Sequence, residues 1–343
     1  MNIKSTIKYI LSIITGIIVF IFIVAMYVVS VINDEAVSGN DLKVNIPNGS
    51  GINKSIDILA DNDALRPAWM FKIAATFAST KFDKTIKAGI HKFPIGITNI
   101  ELLRALFTGD YLYYKRITFP EGIGLKRFAS IAQRRLNLDS SKFMQLAFSD
   151  SICSARGIQA KSLEGYLHPA TYSFDLDINE LQLIDVLLDA HDKVWKNKFE
   201  AKANAINKDR HTILTMASII EAESPISDER PRVSGVYWNR IARGMFLQAD
   251  PTVLYAVGEQ RRVLYADLKI DNPYNTYKYA GLPPGPINSP SLSSIQSAIE
   301  PEKHNYLFFV AVGDGSMRHN FAKNFDEHRR FVRSFRENIK KGK

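Results

Sequence analysis

The chain has 343 residues, 46% of them hydrophobic, enough to bury a sizeable core in two folded units plus an anchor. Its net charge of +9 favours an anionic polymer or surface as partner: nucleic acid, an acidic cell wall or lipid headgroups. The single cysteine, Cys153, excludes an intrachain disulfide.

Residues 9–32 carry no charged side chain. As a helix they would span about 36 Å, enough to cross a roughly 30 Å hydrocarbon core with some tilt. Lys4 and Lys8 precede this run, and Asp34 and Glu35 follow it. The positive-inside rule then puts a tail of residues 1–8 in the cytoplasm and everything after residue 33 outside. A cleaved signal peptide would have a shorter apolar region, about 7–15 residues, with an A-x-A-like site behind it. No such site follows, so an uncleaved single-pass anchor is expected. An exported body argues against nucleic acid as the partner.

Residues 33–41, ending in Ser38-Gly39-Asn40-Asp41, read as a linker. Residues 42–46 alternate like a strand before a Pro47-Asn48-Gly49-Ser50 turn. Helices are expected at 52–60 and 69–79, a strand at 87–93, and a helix at 99–107 closed by Gly109. A small unit over 42–110 follows, with a larger domain over 111–343. Val44-Asn45-Ile46-Pro47-Asn48-Gly49 is echoed by Ile117-Thr118-Phe119-Pro120-Glu121-Gly122. In both, a strand enters a Pro-x-Gly turn and a helix follows. Further helices are expected at 125–136, 141–148, 186–199 and 232–243, the last ended by Gly244. Residues 306–312 read as a buried strand and 321–343 as a basic helix. The fold class is α+β.

The helix opening at Ile213 carries a carboxylate, Glu221. Leu214, Ala217, Ser218 and Glu221 lie at steps of 3, 4 and 7 from the first, so they share a face. An acid on a core-seeking stripe is costly to ionise, which raises its pKa and suits a general acid. The same pattern also fits a helix whose polar end simply begins there. Beyond it come Val233-Ser234-Gly235-Val236-Tyr237-Trp238-Asn239-Arg240, Gly244-Met245-Phe246-Leu247-Gln248-Ala249-Asp250-Pro251-Thr252-Val253, Tyr274-Asn275-Thr276-Tyr277 and Gly281-Leu282-Pro283-Pro284-Gly285-Pro286-Ile287. Amides, hydroxyls and aromatics interleaved with rigid Pro and Gly suit a cleft for something rich in hydroxyls.

No nucleophilic triad is visible, and G-x-S-x-G is absent. The seven His are scattered without H-E-x-x-H, so no metal and no cofactor are expected. Glu164 and His168 are four apart, but Gly165 and Pro169 oppose a helix there; both are expected in a turn at a surface or cleft.

These segments, with Leu163-Glu164-Gly165-Tyr166-Leu167-His168-Pro169-Ala170-Thr171-Tyr172, resemble the YceG/MltG family of membrane-anchored endolytic murein transglycosylases, from about residue 42 to the C-terminus. The resemblance implies a LysM-like module over 42–110 that contacts or positions glycan, and a catalytic domain over 111–343. It implies Glu221 as the catalytic acid, acting on nascent peptidoglycan in the bacterial cell membrane alongside the wall-synthesis machinery. Glu164 matches a motif acid of the family. The family usually carries an acid where this chain has Ala170.

Other substrate-binding candidates are Glu223, Asn239, Gln248, Asp250, Thr252, Tyr274, Asn275, Thr276 and Tyr277. Glu223 lies about 200° round the helix from Glu221, a poor place for a close partner. Asp250 could support the acid or cap a turn. Asn239 and Gln248 could bond sugar hydroxyls or the backbone. A hydrolytic muramidase would need a second carboxylate, Asp250 or Glu164, about 5–9.5 Å from Glu221. A non-catalytic wall-binding scaffold would need none.

Overall fold

The computed structural model describes residues 3–259 and 261–341. The chain is mixed helix and strand, and it divides into two compact units. One ends at Lys115 and includes Phe174–Leu176; the other holds Arg116–Ser173 and Asp177 onward.

The first unit begins with helix α1, Ile3–Asn33. Residues 1 and 2 of the expected tail lie outside the described residues; from Ile3 on, the tail is already helical. Within α1, Lys8–Asn33 has a mean hydropathy of 2.8; its most apolar stretch is uncovered by protein, while Val31 near its end is buried in the core of this unit. It is the helix long and apolar enough to cross a membrane among the described residues. Strand β1 (Leu42–Ile46), helices α2 (Ile52–Asp61) and α3 (Ala68–Phe82), strand β2 (Gly89–Phe93) and helix α4 (Asn99–Thr108) follow. β1 and β2 pair antiparallel, Leu42 opposite Phe93 and Ile46 opposite Gly89. Val44, Ile46 and Phe93 point from the ribbon onto Ile56, Leu59, Phe71, Leu102 and Leu106. Thr98 and Glu101 form a capping box at the start of α4, and Gly109 closes it in the left-handed region. The stretch read as a linker is tied down: Ala36 N–H donates to Ile97 O at 2.7 Å, and Ala36 and Val37 are buried.

Strand β3 (Tyr114–Thr118) pairs with β4 (Thr171–Asp175). Between them lie helices α5 (Leu125–Leu136), α6 (Ser140–Ala147) and α7 (Asp150–Ala155). Next come α8 (Glu180–Lys198), α9 (Glu200–Ala205), α10 (Arg210–Glu223), α11 (Arg230–Ala242) and α12 (Asp250–Val257). A 3-10 turn at Asp267–Lys269 precedes α13 (Leu292–Ile299), the strand pair β5 (Phe308–Ala311) and β6 (His319–Ala322), and α14 (Phe325–Lys341). Residues 342 and 343 of the expected basic helix lie outside the described residues.

Helix α10 is central to this unit. Every residue from Ile213 to Ile220 is buried, because α9, α11, α12 and α13 pack around it. Asp209 starts it, its carboxylate accepting from Thr212 N–H at 2.7 Å. The expected buried strand at 306–312 is shorter, and all four of its residues are only half-buried. It belongs to a two-stranded ribbon covered by α14 rather than to a central sheet.

Candidate active site

Glu221 sits on the last turn of α10, with 9% of its side chain exposed. Leu214, Ala217 and Ser218, on the same stripe, are fully buried. The stripe ends in a polar pocket, not the apolar one its neighbours suggested. Glu221 Oε1 accepts from Arg230 Nη2 at 3.1 Å. Oε2 accepts from Ser291 N–H at 3.0 Å, Ser291 Oγ at 2.5 Å and Ser294 Oγ at 2.7 Å. Arg230 is fixed in turn, donating to Ser224 O at 3.1 Å and Ser291 Oγ at 2.6 Å. Ser291 caps α13, so the positive end of that helix also faces the carboxylate. An ionised carboxyl has about four acceptor positions. That is two on each oxygen; three donors crowd onto Oε2 and one reaches Oε1, so Oε1 keeps one open position.

The open side meets the Pro120-Glu121-Gly122 turn. Gly122 has φ +72°, a left-handed conformation, and a Cβ there would lie 3.4 Å from Glu221 Cγ. Gly122 N–H donates to Ser289 O at 2.8 Å, and Ser289 N–H returns a bond to Ile123 O at 2.9 Å. Ser218 fastens the following segment: its Oγ accepts from Ile287 N–H at 3.0 Å and its carbonyl from Asn288 Nδ2 at 2.9 Å. The turn and the Ile287–Ser291 segment are thereby held against α10. Burial raises the Glu121 carboxyl, and the charge of Glu221 adds to it. Glu121 therefore lies within the field of Glu221.

A cavity of about 930 Å³ opens beside this point, lined by Gly122, Ala222, Ile287 and Asn288 among others. Glu164 lines it too. Of the surface or cleft expected for its turn, the structure gives a cleft: Glu164 is only 6% exposed, accepting from Leu125 N–H at 3.1 Å at the start of α5. Burial pushes its carboxyl up to about 7, against the pull of that N–H. Gly165 explains the close approach. Its φ is +81°, and a Cβ there would lie 2.4 Å from Pro286 Cβ, so only glycine lets this turn pack on the Pro286 loop.

The other expected site residues divide into two groups. Thr252, Asn275 and Thr276 are buried and bonded internally. Thr276 Oγ1 accepts from Ala249 N–H at 3.0 Å and lies 2.9 Å from Thr252 Oγ1. Asn275 Nδ2 donates to Leu268 O and Ile270 O at 3.0 and 2.9 Å. Asn239 spends its amide protons on His304 O and Tyr306 O, at 2.8 and 3.1 Å. The polar groups of these four are thus engaged with the backbone and with one another. Glu223 accepts from Tyr237 Oη at 3.0 Å; burial raises its carboxyl to about 7. Asp250, Gln248, Tyr274 and Tyr277 remain partly or fully exposed. Tyr277 Oη donates to Asp250 Oδ1 at 2.6 Å, and the Tyr274 ring lies 4.7 Å from that of Tyr255. Gln248 has φ +51°, a strained setting for a residue with a side chain.

Arg230, Ser291, Ser294 and Glu121 were not among the expected site residues. Arg230 opens α11 within the charged run Asp228-Glu229-Arg230, nine residues after Glu221, a spacing that marks no pairing. The two serines lie 70 and 73 residues from Glu221, where no local spacing marks them. Among the described residues, no group of three His, Cys, Asp or Glu is placed to hold a metal.

Comparison with known proteins adds to this geometry. The model of the YceG-like family matches residues 44–334. The chain is similar to an endolytic murein transglycosylase of Bacillus subtilis, 35% identical over 86% of this chain and 84% of that protein. It is similar to one of Streptococcus pneumoniae, 29% identical over 87% of this chain but only 59% of that longer protein. It also matches the crystal structure of a YceG-like protein from Listeria monocytogenes, with a TM-score of 0.60 and 32% identity, over 85% of this chain and 98% of that one.

Proposed function

The chain belongs to the YceG-like family, and from that premise we propose how its site works. The protein is an endolytic murein transglycosylase, a lyase acting on peptidoglycan. It cuts the bond between N-acetylmuramic acid and N-acetylglucosamine within a glycan strand. The single observation that carries the assignment of roles is the constellation on Glu221: one carboxyl, four directed donors and one open position beside a cavity.

Glu221 delivers a proton from Oε1 to the glycosidic oxygen, because a sugar alkoxide is a poor leaving group. The C1–O bond breaks. The C6 hydroxyl oxygen of the same muramic acid residue attacks C1, and its proton returns to Glu221. The product is a 1,6-anhydro end. Internal attack has a high effective concentration, so no activated water is needed. Arg230, Ser291 and Ser294 are already aimed at the anion left after the first transfer, so little reorganisation accompanies it. Exposed Gln248 and Asp250 and half-buried Tyr274 and Tyr277 form the sugar-binding rim. A hydrolytic muramidase would instead need a second carboxylate close to Glu221; Glu121, in the turn against it, joins Asp250 and Glu164 as a candidate.

The remaining assignments rest on the apolar run near the N-terminus and on the family resemblance. Residues 9–32 span the cell membrane with the N-terminus in the cytoplasm. The ectodomain then reaches only glycan near the bilayer, which suits the termination of nascent strands beside their synthases. Residues 42–110 form a LysM-like module that positions glycan, and residues 111–343 form the catalytic domain. The test is Glu221→Gln in the full chain on purified murein. Release of soluble glycan should fall by about 10²–10⁴-fold. Release at the wild-type rate would remove Glu221 from the role.

A further inference from the structure

The cavity beside Glu221 has a property that cleavage does not use. One of its walls is the first turn of α5, which carries Lys126 and Arg127. A helix N-terminus disfavours cations, and neither side chain has a hydrogen-bond or ion-pair partner among the described residues. Both are exposed. The acid nearest that helix start, Glu164, is buried and directed to Leu125 N–H. Arg261, also in the lining, is neutralised by Asp267 and Glu259 at 2.6 and 2.5 Å. Lys126 Nζ extends across to the end of α12, 3.5 Å from where a Cβ on Gly258 would lie. Two uncompensated cations thus overhang the cavity, and Met144 and Phe148 supply an apolar wall.

Neutral sugars do not call for this arrangement. The hydroxyls and acetamido groups of a glycan carry no charge, and the lactyl carboxyl of muramic acid is consumed in its amide link to the peptide. The anionic groups of murein lie on the peptide substituents. We propose that this cavity is the subsite for the peptide borne by the muramic acid residue next to the cut, with Lys126 and Arg127 taking a peptide carboxylate and Met144 and Phe148 its apolar part. The inference rests on the activity described above and assigns a substrate preference to it: peptide-bearing strands over bare glycan.

The experiment compares two substrates: uncrosslinked strands with intact peptides, and the same strands after enzymatic removal of the peptides with the freed lactyl carboxyls capped as methyl amides, so that the bare strand is neutral. The full chain in detergent is assayed on both, and the selectivity is the ratio of the two kcat/KM values. The wild type should favour peptide-bearing strands by about tenfold or more, the worth of a charge-assisted contact. Lys126→Gln/Arg127→Gln should bring that ratio close to one, and Lys126→Glu/Arg127→Glu should invert it. A wild-type ratio of one, or a ratio unchanged in the variants, overturns the subsite. That second outcome would also follow if the cations served a lipid-linked pyrophosphate at the strand end. A binding arm separates this inference from the catalytic reading. The non-cleaving Glu221→Gln chain is titrated with both strand forms, with and without the Lys126 and Arg127 substitutions. The peptide preference in binding must survive in Glu221→Gln and vanish with the two cations, whatever bond the wild type cuts.

Discussion

Arg230 and Glu221 form an ion pair of 3.1 Å with side-chain exposures of 10% and 9%. A buried pair is weak evidence of stability in itself, because both charges lose hydration. Removing one partner is another matter, since it strands the other. Arg230→Met should lower stability by about 3–5 kcal/mol, seen in the urea midpoint followed through Trp195 and Trp238. Adding Glu221→Gln should restore part of that loss, because no charge is then left unpaired. Equal instability of the single and double variants would show that Arg230 acts only through its bonds to Ser224 and Ser291.

Glu164 makes stability depend on pH. Its folded carboxyl is raised to about 7 by burial, from 4.5. The native state therefore holds a proton that the unfolded chain releases first. Stability falls as pH rises from about 4.5 to about 7, and the deficit is complete above that window. A shift of this size corresponds to about 3 kcal/mol. Glu164→Gln should match the wild type near the lower limit and exceed it increasingly toward about pH 8. Melting temperatures across this range check the prediction; a constant difference between the two proteins would contradict it.

Thr276 is predicted to matter for stability and not for substrate binding. Its hydroxyl oxygen receives Ala249 N–H and contacts Thr252 Oγ1, with 1% of the residue exposed. Thr276→Val leaves that buried N–H unsatisfied and should cost about 1–3 kcal/mol. KM should be unchanged at temperatures where the variant is folded. A raised KM with unchanged stability would put Thr276 back among the substrate contacts.

Local signals made much of the fold legible. The helix expected at 125–136 is the one found, and Gly109 and Gly244 lie just beyond helix ends in left-handed conformations. The two Pro-x-Gly echoes are both real turns, with φ +79° at Gly49 and +72° at Gly122. Misplaced boundaries trace to caps given too little weight. α8 begins at Glu180 because Asn179 and Gln182 form a capping box, and α10 begins at Arg210 because of Asp209. α13 was hidden behind the Pro-rich run that precedes it. Of the polar cluster around Glu221, only Glu221 itself was legible. Periodicity identified the face on which Glu221 lies but not what covers it, since Arg230, Ser291 and Ser294 arrive from α11 and α13. Polar residues such as Thr252, Asn239 and Asn275 read as sugar ligands, because sequence alone does not tell a hydroxyl or amide facing a cavity from one satisfying backbone behind it.

The central claim is that one carboxyl, Glu221, serves as acid and then base while the sugar attacks itself. Mass spectrometry of the glycan ends newly formed by the full chain tests it most directly. The account predicts 1,6-anhydro-muramic ends, abolished in Glu221→Gln. Ends one water heavier, with a free reducing group, would contradict it and call for a second carboxylate near Glu221.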